Sequence, residues 1–387
     1  ETEIMESSFG ARYIGDMDRI FDTYAHLVPQ MQDFVREQFP KHPDDGDFVY
    51  RQAVKAKAFD ALRGLLPAAS LSNVGIYGTG QAYEALLLRM RSHPLPESRY
   101  YADLMLRELR KVIPSFLERV DREDRGVVWS EYLQETREDT ADVVAALFPE
   151  GSIVDPSPTV RLVDFDPEGE VKMIASMMYP HSTMSEDQLE RRVAGMNHED
   201  RMAVARAYVG DRRNRRHKPG RALERPFYRF DVLVDYGAFR DLQRHRMLSM
   251  DWQNLSPHHG YISSPLVNAA GMGPVYEEAM ERSAALYDLL VDDFPDQASY
   301  AINLAYKIRF NMNINARSAM HLIELRTTPQ GHPSYREVGQ EMHRLIAEEA
   351  GHTVISEMMK FVDHTDETDL ERLQSERRAQ EKRQSTK

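Results

Sequence analysis

The chain contains no cysteine. Thiolate nucleophiles, disulfides and zinc–sulfur sites are therefore excluded, and a cytoplasmic protein is the expectation. Positive charge is also in deficit: 49 Lys and Arg stand against 62 Asp and Glu, a net charge of -13. That balance argues against a general nucleic-acid surface and leaves local basic clusters to serve small anions. No apolar run approaches the ~18 residues that span a bilayer, and no signal-peptide pattern opens the chain. Neither a membrane nor a nucleic-acid polymer is expected as a partner. Residue 1 is Glu1 rather than methionine, as in a fragment or a processed chain. What is present is apolar material, 42% of 387 residues, enough for roughly two folded domains.

Helical periodicity dominates. Met17–Glu37, Phe48–Leu65, Gln81–Met90, Tyr100–Arg119 and Tyr132–Leu147 read as amphipathic helices. Pro149–Pro158, with Gly151, Pro156 and Pro158, reads as a linker between domains. Beyond it Val160–Phe165 and Phe227–Asp235 read as strands. Gly169–Tyr179, Glu186–Ala194, His198–Val209, Val275–Leu290, Tyr300–Lys307, Asn315–Leu325 and Ser334–Phe361 read as helices, with Asn197 and Asn315 as N-caps. From Asp363 the tail is charged and reads as a solvated helix or a disordered segment.

Three segments carry chemistry. Arg244-His245-Arg246 follows the second strand at the expected end of a helix and forms a compact cationic group suited to a phosphate or an electron-rich ring. A solvated helix C-terminus, where the dipole favours cations, reads the same tripeptide. Upstream, Arg212-Arg-Asn-Arg-Arg-His-Lys-Pro-Gly-Arg221 is a basic loop with a Pro-Gly turn, able to wrap a phosphate with its backbone N–H groups or to remain a mobile basic loop. Downstream, Asn313-Ile-Asn315-Ala-Arg317-Ser-Ala-Met-His321 continues to Arg326. Arg317 and His321 lie four apart and share a helix face, although a satisfied histidine on an ordinary helix fits the same spacing.

A weak internal repeat is also present. Gln81-Ala-Tyr-Glu-Ala-Leu-Leu-Leu-Arg-Met-Arg91 resembles Ala316–Arg326, and His93-Pro94 and His332-Pro333 follow in the same order. Phe39-Pro40 and Phe294-Pro295 precede the two copies. Gly80, Ala82 and Leu86 then stand where the later copy has Asn315, Arg317 and His321.

Together the three segments resemble the flavin-dependent thymidylate synthases, whose signature is an Arg-His-Arg followed at an interval by serine, an upstream His/Glu segment and an Asn-x-Arg helix with a later His and a terminal Arg. The resemblance covers roughly residues 160–350. It implies an α+β fold: a helix-rich domain with a helix-flanked sheet, preceded by a degenerate, partial second copy. The implied divisions are 1–148 for the partial repeat, 149–158 for the linker, 159–362 for the synthase-like domain and 363–387 for the tail. It implies FAD held by Arg244, His245, Arg246, Asn315, Arg317 and His321, with Glu224 and His217. Ser249, Asn254 and Arg326 are implied to bind a uridine nucleotide, with Arg326 and Ser256 catalytic. Methylenetetrahydrofolate and NADPH are the implied cosubstrates, methylation of dUMP to dTMP the implied reaction, and a homo-oligomer the implied assembly. No metal is required.

The resemblance has gaps. Asn254 stands at the place of the family's serine, which Ser256 fills only if the loop is two residues longer. Ser256 or His258 then occupies the place of the following arginine, and Asp241 replaces a glutamine before Arg-His-Arg. These losses concern nucleotide positions, so a non-catalytic or altered-specificity flavin or nucleotide binder is the alternative reading.

Overall fold

The computed structural model describes residues 2–148 and 157–365, together with Leu370 and Leu373. Most of the expected linker and tail therefore lies outside the described residues. Two compact units are present: Glu1–Gly15 with Ala69–Pro156 and Leu286–Tyr300, and Asp16–Ala68 with Ser157–Ala285 and Ala301–Lys387. They interleave along the chain rather than dividing at residues 149–158.

The first unit is helical. Helices Gly80–Arg91, Pro96–Leu109 and Pro114–Leu117 enclose a small core of Leu87, Ala102, Leu106, Leu117 and Val120. The helix expected over Tyr100–Arg119 is broken, because Pro114 lacks the N–H that would continue the ladder and instead starts a new turn. Thr79 caps Gly80–Arg91 by accepting the Ala82 N–H at 3.2 Å.

The second unit is built on a four-stranded antiparallel sheet ordered β1-β2-β4-β3. The strands are β1 Val160–Phe165, β2 Phe227–Asp235, β3 Leu248–Trp252 and β4 Lys307–Asn315. Alternation puts Tyr228, Phe230, Val232 and Val234 of β2 on the same buried face as Ile308, Phe310, Met312 and Ile314 of β4. Each such side chain contributes roughly 1.5–3 kcal/mol when fully buried. The unit is thus the helix-flanked sheet of an α+β fold, as expected. Strands β3 and β4 were not expected. Tyr300–Lys307 is not a helix: a short 3-10 turn at Ala298–Ala301 precedes β4. The stretch Ser334–Phe361 is two helices, Pro333–Glu348 and Thr353–Glu357, separated where Gly351 takes a φ of 68°.

Two helices leave this sheet with side-chain caps that fix their direction. Asp235 ends β2 and accepts the Ala238 N–H at 2.9 Å, starting the short helix Tyr236–Leu242. Asn315 ends β4 and accepts the Ser318 N–H at 2.9 Å, starting the helix Ala316–Arg326. Asn315 is therefore the N-cap that its sequence position promised.

Candidate functional site

Sheet register brings the three sequence segments together. Phe227 lies opposite Asn315, and Leu248 lies opposite Ile314. The end of β4, the entry to β2 and the entry to β3 therefore share one edge of the sheet. The basic loop runs into the first entry through the turn Arg221–Glu224, and Arg244-His245-Arg246 runs into the second. The helix Ala316–Arg326 starts between them. The result is a cavity of about 280 Å³. Arg212, Arg215, Lys218, Arg244, Arg246, Arg317 and Arg326 line it, and among the described residues no carboxylate does. His245, His321, Met247, Met320 and Leu325 complete most of the wall.

These cations are not equivalent. Arg317 is fixed by donating from Nε to the Pro219 carbonyl at 2.9 Å and from Nη1 to Glu224 Oε1 at 2.9 Å. Glu224, also paired with Arg221, is held below the usual carboxylate range, by the Arg221 hydrogen bond first and Arg317 last. Glu224 thus acts on the cavity through Arg317 rather than lining it. Arg212, expected to belong to the phosphate-wrapping loop, is instead buried. Its guanidinium donates to both carboxylate oxygens of Glu324, at 2.7 and 2.5 Å, and to the His217 carbonyl at 2.8 Å. Arg212 ties the loop to the helix Ala316–Arg326. Arg215, Lys218 and Arg246 form no ion pair among the described residues and remain available to an anion.

In the compact cationic group Arg244-His245-Arg246, the charge lies on the two arginines and the ring between them is neutral. Arg326 donates from Nε to His245 Nε2 at 2.9 Å, which places the ring proton on Nδ1. Burial, then Arg326 and His321, push the His245 pKa down to about 3. His321 meets His245 edge to face at 5.8 Å, and burial with Lys218 and Arg215 lowers its pKa too. Arg326 also donates to Asp241, from Nη1 to the carboxylate at 3.4 Å and from Nη2 to the backbone carbonyl, and its guanidinium stacks on Tyr335 at 5.2 Å. Three of its five N–H groups are thus engaged, and two are left for a ligand.

The tripeptide follows the helix Tyr236–Leu242 rather than ending it. It enters β3 through Met247, whose φ of 61° is the only positive value at a non-glycine among the described residues. The remaining expected residues are not brought into the cavity. His217 is exposed, Ser249 and Asn254 are exposed on β3 and just after it, and Ser256 is half-buried beyond them. The residues that sequence reasoning passed over are Asp241, seen only as a loss, and Glu324 and Tyr335. The signal available for Glu324 was a lone acid inside an otherwise apolar helix stretch, Leu322-Ile-Glu-Leu325.

The UPF0159 protein of Chlamydia pneumoniae is 37% identical over 377 residues, 97% of this chain and 70% of that protein. The UPF0159 protein of Chlamydia muridarum is 36% identical over 378 residues, with the same two coverages. Among solved structures, the UMP/dUMP methylase PolB from Streptomyces cacaoi bound with 5-Br dUMP gives a TM-score of 0.41 at 16% identity, over 53% of this chain and 95% of that one. Thymidylate synthase X from Helicobacter pylori, solved with FAD and dUMP, gives 0.37 at 18% identity, over 52% and 98%. The family model described as thymidylate synthase complementing protein matches residues 2–115 and 161–351. With most of its length matched and its Arg-His-Arg and Asn-x-Arg segments lining one cavity, the chain belongs to the thymidylate synthase complementing protein family.

Proposed function

We propose that this chain is a divergent FAD-dependent enzyme that methylates C5 of a uridine nucleotide, a dUMP-to-dTMP type of reaction. The observation that carries the reading is the cavity: seven cationic side chains from three separate segments, with no carboxylate among them, in a chain of net charge -13. A dinucleotide pyrophosphate fits that donor set, with Arg215, Lys218, Arg244 and Arg246 as its partners. Arg317 and His321, on the helix that Asn315 caps, hold the opposite wall. When bound, reduced flavin supplies the hydride and methylenetetrahydrofolate the carbon, with NADPH as reductant.

The chain's own contribution is electrostatic. C5 of a uridine ring is a poor nucleophile, and donors that stabilise negative charge on the ring lower its barrier. Arg326 has two N–H groups to give, and its position is fixed by His245, Asp241 and Tyr335. His245 is neutral, so its Nε2 can accept from Arg326 and its Nδ1–H remains as a further donor for a ligand. At about 280 Å³, the cavity sits just below the ~300–1,000 Å³ range of small-molecule sites. It accommodates part of a dinucleotide, so a homo-oligomer that completes the site belongs to the proposal. So does the origin of residues 1–148 as a degenerate partial repeat. There Arg91, at the place of Arg326, is paired with Asp103 at 3.1 Å.

Purified protein supplied with FAD should show a bound-flavin absorbance spectrum and release tritium from C5-labelled dUMP in the presence of the folate and NADPH. Arg326→Ala should keep the flavin and lose turnover. A protein that never acquires a flavin spectrum defeats the proposal. One observation favours a second reading, an altered-specificity or non-catalytic flavin binder: Ser249, Asn254 and Ser256 lie outside the cavity. Bound flavin with no tritium release under any cosubstrate would select it.

A further inference from the structure

Residues 70–79, Ser-Leu-Ser-Asn-Val-Gly-Ile-Tyr-Gly-Thr, run through the first unit without helix, strand or turn. None has a positive φ, and Thr79 at the end takes φ −76° and ψ 163°, so the backbone is that of an extended strand. Its apolar side chains are bare: Leu71 is 88% exposed, Val74 76%, Ile76 51% and Tyr77 fully. Its backbone is bare too. Among the described residues none of its N–H groups donates to a backbone carbonyl, although the Tyr83 hydroxyl donates to the Ile76 carbonyl at 2.7 Å. Such an edge templates pairing with another strand, and edges that must stay free are blunted by charge or proline. Residues 68–80 contain neither.

The segment has a counterpart in the second unit. Thr79 caps Gly80–Arg91 as Asn315, at the end of β4, caps Ala316–Arg326. The family model matches residues 2–115 apart from residues 161–351. Counted back from the two caps, Val74 and Ile76 take the places of Phe310 and Met312, on the buried face of β4. β4 lies between β2 and β3 and is paired on both edges. The four strands of the described residues all belong to the second unit, and none pairs with residues 70–79. We propose that residues 71–78 are a docking strand that enters the middle of an antiparallel sheet, with a partner strand on each edge. The occupant is the part of the longer relatives with which this chain does not align, since the Chlamydia pneumoniae protein is matched over 70% of its length. The site carries no charge, so it fits strands of alternating apolar residues like β2. Main-chain hydrogen bonds supply the affinity and alternate side chains the specificity. A second copy of this chain fits less well, because its β2 and β3 are already paired with β4. The inference rests on reading residues 1–148 as a partial repeat, not on the flavin chemistry.

The test co-expresses the 387-residue chain with the part of the Chlamydia pneumoniae relative that lies outside its 377 matched residues. Amide-resolved hydrogen exchange is then compared with that of the chain alone. Alone, residues 71–78 should exchange like an unstructured peptide. The two polypeptides should copurify, and exchange at consecutive amides of the segment should slow by about tenfold or more. Val74→Lys and Ile76→Lys change exposed side chains, so the chain itself should fold as before. Each should weaken the complex by about tenfold or more, by placing a charge on an apolar sheet face. Absence of a complex would overturn the proposal, as would a complex that leaves residues 71–78 unprotected or is indifferent to both variants. Protection of alternate amides alone would mean one paired edge, and the segment would not be a counterpart of β4. Protection that grows with the concentration of the chain alone would make a second copy the occupant and also defeat the proposal. Flavin enters none of these readouts, so a missing flavin spectrum leaves the pairing standing, and a failed pairing leaves the cationic cavity standing.

Discussion

The buried pair Arg212–Glu324 offers the sharpest test of how the cationic cavity is held together. Glu324 is fully buried and the Arg212 side chain is 3% exposed, with two charge-assisted bonds of 2.7 and 2.5 Å between them. Arg212 also gives Nε to the His217 carbonyl and lies over Phe361 at 5.1 Å. Glu324→Leu removes the one carboxylate and leaves a guanidinium in a dry site with neutral partners alone, the carbonyls of His217, Met358 and Arg215 and the Met320 sulfur. Breaking a buried pair in this way costs about 3–5 kcal/mol. The double variant Arg212→Met, Glu324→Leu removes both charges at similar volume, and the same reasoning puts it close to the wild type or above it. Urea unfolding of the wild type, both single variants and the double variant measures this directly. The single variants should also lose FAD affinity, because Arg212 anchors the loop that presents Arg215 and Lys218. If Glu324→Leu costs less than about 1 kcal/mol, the pair is not the anchor described here and the reasoning fails.

Three further outcomes are expected. The His245 pKa is depressed in the folded state, so the unfolded chain takes up that proton first, and stability is lost as pH falls from about 6.5 towards about 3. His245→Gln keeps an acceptor for Arg326 but cannot titrate. Its melting temperature should gain on the wild type progressively as pH falls through that window, and parallel curves would contradict the assignment. At Gly64, an added Cβ would stand 2.2 Å from the Tyr276 hydroxyl and 2.9 Å from the Ala305 side chain. Gly64→Ala should therefore cost about 1–3 kcal/mol in an unfolding titration, and an unaffected variant would show that these neighbours yield. Met247 is 72% exposed with a φ of 61°. Met247→Val should lose about 1–2 kcal/mol while Met247→Gly stays within about 1 kcal/mol of the wild type; identical melting curves would remove the strain from the account.

The parts of the fold that sequence revealed are those with a single strong period. Strand β2 alternates over nine residues, and the caps Asn197 and Asn315 precede clear helical runs. Strand β4 alternates just as well, Ile308-x-Phe310-x-Met312-x-Ile314. However, its outward positions are Arg and Asn, and its start sits against a turn whose Tyr and Ala suit a helix. Strand β3 is five residues long with no fully buried position, too short to carry a period. For the site, residue types gave the cationic lining, and the resemblance grouped them. What sequence did not separate was which arginines are spent on the protein itself. Arg212 and Arg215 read alike in a basic run, and only the depth of Glu324 distinguishes them. Likewise nothing in Arg-His-Arg predicts that its histidine is neutral, because that follows from Arg326 arriving from a helix some eighty residues later.

The pairing of Phe227 with Asn315 has a kinetic consequence. Closing the intervening segment costs on the order of 4 kcal/mol of chain entropy before any contact across it is formed. The walls of the cationic cavity come from both sides of that closure, so no local fragment can preassemble it. Such long-range closures slow folding, and the cavity should appear only with the last cooperative step. A chromophore captured there during refolding would then time the completion of the sheet rather than the formation of its helices.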